Sequence, residues 1–182
     1  PPKNSSSKNL NENISVDCVV FGFDGTELHV LLIDREDEMR NVASAYALPG
    51  NLIYDQENLN QAAERVLKEL TGLSDIYLEQ FGAFGDPNRI KKKEDQPWLK
   101  AVRTNPDARV VTIAYYALIR MSDFKLNPSS FAKDATWVPL KDIKHLPFDH
   151  FEILNQSVAY LRNNTKIRPV GYNLLPEKFT LN

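Results

Sequence analysis

Residues 48–73, which read LPGNLIYDQENLNQAAERVLKELTGL, carry the strongest structural signal in this chain. Apolar residues recur there at three- and four-residue steps, which predicts a helix with one apolar face. They are Leu59, Ala62, Ala63, Val66, Leu67 and Leu70. Acidic and short polar residues at positions 55, 57 and 58 suit the amino end of this helix. Gly72 follows the last apolar residue and is a common helix stop. Such a helix identifies no function by itself.

The same stretch resembles the Nudix box, whose pattern is G-x5-E-x7-R-E-U-x-E-E-x-G-U, with U an aliphatic residue. Glu57, Arg65 and Glu69 match three of its charged positions, and residues 72–73 match its end. Asn51 takes the place of the first glycine. The resemblance implies an α/β fold: the Nudix-type α/β/α sandwich with a mixed central sheet. It also implies a helix that gathers carboxylates to hold magnesium against a diphosphate.

Two departures from this pattern bear on activity. Val66 follows Arg65 where the box has glutamate, and Leu70 replaces the second glutamate of the later pair. Magnesium takes several oxygen ligands, usually from carboxylates, and Glu69 is the one carboxylate left in this segment. We therefore expect no catalytic residue, metal or cofactor. If the domain is active, the resemblance assigns catalysis to Glu57, Arg65 and Glu69, with Glu69 binding Mg or Mn.

Composition sets the broad class of protein. The length of 182 residues fits one domain. The single cysteine, Cys18, excludes an internal disulfide, so we expect a buried thiol in a reducing, cytoplasmic compartment. No apolar run approaches the ~20 residues of a membrane span, and we expect no membrane partner. The net charge of −2 does not predict nucleic-acid binding by this stretch as a whole, and the basic cluster 91–93 is typical of a solvated loop.

Apolar runs predict the remaining elements. The predicted strands are 16–23, 28–34, 76–84, 109–120 and 135–140, and a second helix is predicted over 149–162. Residues 86–107 form a long polar segment with three prolines, which predicts a functional or disordered loop. We expect residues 1–13 to be a flexible tail and 14–165 to be the domain.

Several segments outside the box resemble one branch of the superfamily, the Nudix-related transcriptional regulators of the NrtR and AraR type. They are 16–23, 81–84 with 86–87, 109–119, 137–138, 146–150 and 169–181. The resemblance implies an effector domain, usually dimeric, followed by a winged helix-turn-helix that binds DNA. Residues 166–182 would then be the linker. The long polar insertion, 90–107, departs from the family.

Five residues are candidates for binding an effector in a largely apolar cleft. They are Phe84, Asp86, Arg89, Arg109 and Tyr115. An arginine at the start of the strongest strand suits a phosphate or a pair of sugar oxygens. A salt bridge from Arg109 to Asp86 or Asp107 is the alternative, and residues 86–89 also fit a simple turn. Tyr115 and Tyr116 alternate faces on a strand, so at most one of them lines a given pocket.

The leading functional hypothesis is an effector-binding domain of a bacterial transcriptional regulator without hydrolase activity. Its effector would be a sugar, a nucleotide sugar or an ADP-ribose-like ligand. L-arabinose fits the box variant, which resembles that of the sugar-responsive members, and ADP-ribose fits the wider family. The alternative is a metal-dependent Nudix hydrolase that cleaves ADP-ribose or a related nucleoside diphosphate.

Overall fold

The computed structural model describes residues 9–35, 46–129 and 132–167. Their strands are β1 (Leu10–Phe23), β2 (Leu28–Arg35), β3 (Tyr46–Ala47), β4 (Gly50–Tyr54), β5 (Glu79–Phe84), β6 (Val111–Arg120) and β7 (Ala132–Pro139). Their helices are α1 (Leu59–Thr71), α2 (Gln96–Val102) and α3 (His150–Ile167). Two short 3-10 turns follow β6 and β7, at Met121–Asp123 and Leu140–Asp142.

The seven strands form one mixed sheet around β1. The central pair, β1 and β6, is parallel, with residues 14–23 of β1 against residues 111–120 of β6. The other edge of β1 is shared by β4 and β2, both antiparallel to it. β2 also pairs with β3 and β7, and β5 closes the far side by pairing with β6. The predicted mixed sheet is confirmed.

Alternate residues of the central strands face opposite layers, as the pleat of a strand requires. Val16, Cys18 and Val20 of β1 pack toward α1, whereas Val19 and Phe21 pack toward α3. Because both faces are covered, β1 is a nearly continuous apolar run. The predicted α/β/α sandwich is therefore confirmed. Within the described residues no helix is long and apolar enough to cross a membrane.

Local hydrogen bonds set both ends of α1. Asn58 caps the helix by accepting from the Gln61 amide at 2.9 Å, and the Gln61 side chain accepts in return from the Asn58 amide at 3.0 Å. A cap of this type stabilises a helix by about 1 kcal/mol. Gly72 ends the helix with a left-handed φ of 81°, a conformation that favours glycine. The predicted bounds of this helix are confirmed.

Several predicted boundaries are wrong by a few residues. β1 begins at Leu10, so residues 10–13 lie in a strand and not in a flexible tail. The pairing of Leu10 with Tyr54 provides hydrogen-bond partners that local composition does not reveal. β5 begins at Glu79, whereas the prediction began at 76. α3 continues to Ile167, two residues beyond the predicted end of the domain. Residues 1–8 and 168–182 lie outside the described residues.

The long polar segment after β5 contains a helix that the sequence analysis did not predict. α2 lies within 86–107, and its buried Leu99 packs in a small cluster that closes over one end of the sheet. The cluster comprises Leu52, Ile90, Leu99, Val110 and Phe148, with Trp98 packed against it. Ile90, Leu99 and Val110 are about ten residues apart, and Leu52 and Phe148 are far from them in the chain. No short apolar period therefore indicates this cluster.

Candidate functional site

Arg65 fastens the loop before α1 to the helix. Its Nε donates to Glu57 Oε2 at 2.9 Å, and its Nη1 donates to Glu69 Oε2 at 3.0 Å. Its Nη2 donates to the Leu52 carbonyl at 3.1 Å, and the guanidinium lies 4.3 Å from the centre of the Tyr54 ring. Arg65 and Glu69 are one helical turn apart, a spacing that allows this ion pair. Glu57 and Glu69, the two acidic residues matched to the box, are therefore both bound to Arg65.

The two departures from the Nudix box lie inside the core. Val66 is fully buried and Leu70 is 1% exposed, both against the central strands. Glu57 and Glu69, the remaining carboxylates, are already paired with Arg65. In the described part of the chain, no group of three or more His, Cys, Asp or Glu side chains is placed to hold a metal ion. These residues do not fit a magnesium cluster of the Nudix type.

A groove of about 660 Å³ runs along the outer side of α1. Glu57, Arg65 and Lys68 line it, with Leu73 and Ile76 from the segment that follows the helix. Glu57 and Arg65 pair with each other, so the charges left to meet a ligand in this groove are those of Glu64, Lys68 and Asp75.

A second site is built around a buried carboxylate, Asp17, in the middle of β1. Its Oδ2 accepts from Thr112 Oγ1 at 2.7 Å and from Arg89 Nη2 at 3.4 Å. Its Oδ1 lies 3.4 Å from His150 Nε2. Burial alone would raise the pKa of Asp17, but His150, Arg89 and Thr112 outweigh it and lower the pKa to about 2. Asp17 is therefore ionised in the folded protein.

The start of α3 forms the wall of this site. Asp149 accepts from Nε and Nη2 of Arg89, each at 2.8 Å. His150 Nδ1 accepts from the Leu48 amide at 3.1 Å, which leaves its Nε2 to carry the proton toward Asp17. His150 is thus a contact at a helix start, and its partners are Leu48 and Asp17. We call the space between these side chains the polar chamber.

The polar chamber holds about 30 Å³ and adjoins a larger cleft of about 540 Å³. Four residues line both spaces, namely Gly50, Asn51, Trp98 and Arg103. Arg103 Nη1 is buried without a hydrogen-bond partner in the described part of the chain. Burial lowers the pKa of Arg103, Asp17 acts to raise it, and Arg89 adds to the lowering. At the junction of chamber and cleft, a guanidinium nitrogen without a hydrogen-bond partner among the described residues therefore lies beside open space.

The structure does not gather the five predicted ligand residues. Phe84 packs on the α3 face of the sheet, while Tyr115 packs on the α1 face and donates to Asn60 Oδ1 at 2.9 Å. Arg109 donates to the Gly85 carbonyl at 3.1 Å. Asp86 accepts from the amide two residues on, which is the turn that the sequence allowed. Of these five residues, only Arg89 lines the polar chamber.

Other residues of this site were missed by sequence reasoning. Asp17 had a visible signal, because it is a charge within the apolar run VDCVVF, and a buried charge needs partners. Arg103 had none, since it lies in the polar segment whose path only the tertiary structure shows.

Comparison with known proteins agrees with this geometry. The model of the NUDIX domain matches residues 12–157. A curated relative, the ADPR responsive transcriptional repressor NtrR of Acinetobacter baylyi, is 31% identical over 172 residues, which is 92% of this chain and 62% of that protein. The ADP-ribose pyrophosphatase of Methanocaldococcus jannaschii is 26% identical over 131 residues, covering 72% of this chain and 66% of that protein.

A solved structure extends the comparison. The NUDIX domain of Shewanella oneidensis NrtR, complexed with ADP ribose, matches with a TM-score of 0.64 and 25% identity. The match covers 88% of this chain and 94% of that one. This chain spans less than two thirds of the length of the Acinetobacter repressor. The box, the sandwich and the domain match lead to one conclusion: the chain belongs to the Nudix family.

Proposed function

We propose that this domain binds ADP-ribose or another sugar-containing small molecule as the effector of a transcriptional regulator, and does not hydrolyse it. The proposed absence of hydrolysis rests on the burial of Val66 and Leu70. Metal-assisted hydrolysis of a diphosphate needs a clamp of oxygen ligands around the ion. Here two positions of that clamp are filled with aliphatic side chains that belong to the core.

The relatives support the proposed binding of ADP-ribose. The Acinetobacter protein is named as an ADPR-responsive repressor, and the Shewanella NrtR domain was solved with ADP ribose. A sugar such as L-arabinose is the other effector in this proposal. DNA binding through a further domain and a homodimeric state belong to the same proposal, and so does a cytoplasmic location.

The position of the polar chamber favours a sensor, because it touches the helix that leads toward the end of the chain. Asp149 and His150, at the start of α3, contact Arg89 and Asp17. A ligand at the chamber therefore acts on the base of α3. It shifts a regulator between two states only if it binds them with different affinities. We propose that the orientation of α3 distinguishes those two states.

An assay of binding and turnover together tests this function. The chain is titrated with ADP-ribose and with L-arabinose by calorimetry, and AMP release is followed by chromatography in the presence of Mg²⁺ or Mn²⁺. An active ADP-ribose pyrophosphatase serves as the positive control. We expect binding of one ligand and no AMP release above the protein-free blank. A Glu69→Gln variant should behave like the parent chain.

The second candidate function is a hydrolase, favoured by the retained Glu57 and Glu69 beside the 660 Å³ groove and by the Methanocaldococcus relative. AMP release that disappears in the Glu69→Gln variant would establish this function and refute the pseudoenzyme proposal.

A further inference from the structure

We propose that Arg103 binds a phosphate oxygen of the effector at the inner end of the 540 Å³ cleft, so that the effector is a phosphate-bearing sugar or nucleotide. This inference rests on the proposed function and deepens it by naming the chemistry that the site recognises.

The hydrogen bonds around the polar chamber leave one arginine nitrogen without a partner within residues 9–35, 46–129 and 132–167. The Nε and Nη2 donors of Arg89 are used by Asp149 and Asp17. Asp17 also accepts from Thr112. Arg103 Nη1 is left buried and unbonded in the part of the chain that the structure describes. A buried donor without a partner is costly, and more so when the group is charged. An anionic ligand would remove that cost.

The polar chamber and the adjoining cleft differ in size and meet at Arg103. The chamber of about 30 Å³ admits one or two oxygen atoms, whereas the cleft of about 540 Å³ admits a sugar or nucleoside. Arg103 stands at the junction, because it lines both spaces. The planar guanidinium binds phosphate oxygens with fixed geometry. A ligand placed in this way has its phosphate at the inner end and its sugar toward solvent.

Both apolar and polar side chains line the cleft. Trp98 and Leu52 provide apolar surface, and Asn51 provides an amide for sugar hydroxyls. The exposed carboxylate at this cleft, Glu12, accepts a hydrogen bond from Asn105 at 3.2 Å. Glu12 is the carboxylate that lines the cleft, whereas Asp17, which lines the chamber, is already bound by Arg89 and Thr112. This mixture of a few polar groups on an apolar wall is typical of a small-molecule site.

The experiment compares the 182-residue chain with two variants. Arg103→Gln removes the charge, and Lys100→Gln removes an exposed charge from α2, the helix that ends just before Arg103. Calorimetry measures the affinity of each protein for ADP-ribose, ribose 5-phosphate and L-arabinose, and for inorganic phosphate as a competitor. We expect Arg103→Gln to weaken ADP-ribose or ribose 5-phosphate binding by about 10- to 100-fold. Lys100→Gln should change it by less than about 2-fold.

Thermal unfolding separates ligand binding from a structural role. Because Nη1 of the half-buried Arg103 lacks a hydrogen-bond partner wherever the structure describes the chain, Arg103→Gln should keep or raise the melting temperature of the free protein. A structural arginine would instead lower it. An Arg103→Lys variant should recover part of the phosphate affinity, since it restores charge without the planar fork.

Each outcome decides between the two proposals. If a phosphate-bearing ligand binds the parent chain and the Arg103→Gln variant equally, the Arg103 inference is overturned while the sensor function stands. If L-arabinose alone binds, the effector is neutral and the inference is likewise overturned. If none of these ligands binds the parent chain, both proposals fail.

Discussion

Arg89 donates two hydrogen bonds of 2.8 Å to Asp149, sixty residues further along the chain. The pair ties the polar segment that follows β5 to the start of α3. A further hydrogen bond connects the same two parts of the chain, because Asp95 Oδ2 accepts from the Phe148 amide at 2.9 Å. Because Arg89 also faces Asp17, its ion pair with Asp149 and the polar chamber belong to one network of contacts.

Breaking this pair should destabilise the protein strongly. Arg89→Met leaves the carboxylates of Asp17 and Asp149 without their guanidinium, and such a loss costs about 3–5 kcal/mol. Lys141→Met is the matched control, because its ion pair with Glu27 lies at the surface, where solvent screening leaves such pairs little effect on stability. Urea unfolding measures both values. Equal losses in the two variants would contradict a structural role for the buried pair.

The ionised Asp17 predicts a loss of stability in acid. The pKa of this carboxyl falls from its ordinary 3.8 to about 2 on folding. A carboxyl with a lowered pKa contributes its stability above pH 3.8, and loses it as the pH falls through about 2. Its contribution is about 2 kcal/mol.

Carbon-13 NMR titration of the labelled aspartate carboxyls measures the Asp17 pKa directly. In urea unfolding, an Asp17→Asn variant should lose less stability between pH 4 and pH 2 than the parent chain. Identical losses in both proteins, or an NMR midpoint near 3.8, would count against this account.

Restoring the missing acids of the Nudix box should unfold the domain and not activate it. Val66→Glu or Leu70→Glu places a carboxylate in an apolar core, at a cost of about 3 kcal/mol or more. Lys68→Glu, on the exposed side of the same helix, should change stability by less than about 1 kcal/mol. Urea unfolding and AMP release are measured on all three. A stable Val66→Glu variant that hydrolyses ADP-ribose would show that a metal site lies dormant here.

Gly50 is needed because its neighbour leaves no room for a side chain. A Cβ there would lie 1.8 Å from Asp17 Oδ1, so Gly50→Ala must displace the buried carboxylate. We expect a loss of about 2 kcal/mol or more, with weaker ligand binding. Gly82→Ala is the control, because its Cβ would meet the Phe84 ring at an ordinary 3.5 Å. Circular dichroism melts of the two variants test the difference, and a Gly50→Ala melt equal to that of the parent chain would refute it.

Sequence patterns predicted the elements whose signals are local. The helix over 59–71 was predicted with its cap and its stop, because apolar period, Asn58 and Gly72 all act within a few residues. The central strands were predicted from their apolar runs, although β1 begins earlier than expected. Of the five candidate ligand residues, Arg89 lines the polar chamber, while Glu57 and Arg65 of the box line the groove beside α1.

By itself, the sequence determined the family, the helix of the box and the loss of its metal-binding acids. These follow from residue identities at fixed short spacings. Tertiary structure alone decided that Arg89, Arg103 and Trp98 meet Asp17 and His150 at one place. Those contacts join positions as far apart as 17 and 150, and the partner of a buried charge is chosen by the packing of distant elements, which no local period in the chain records.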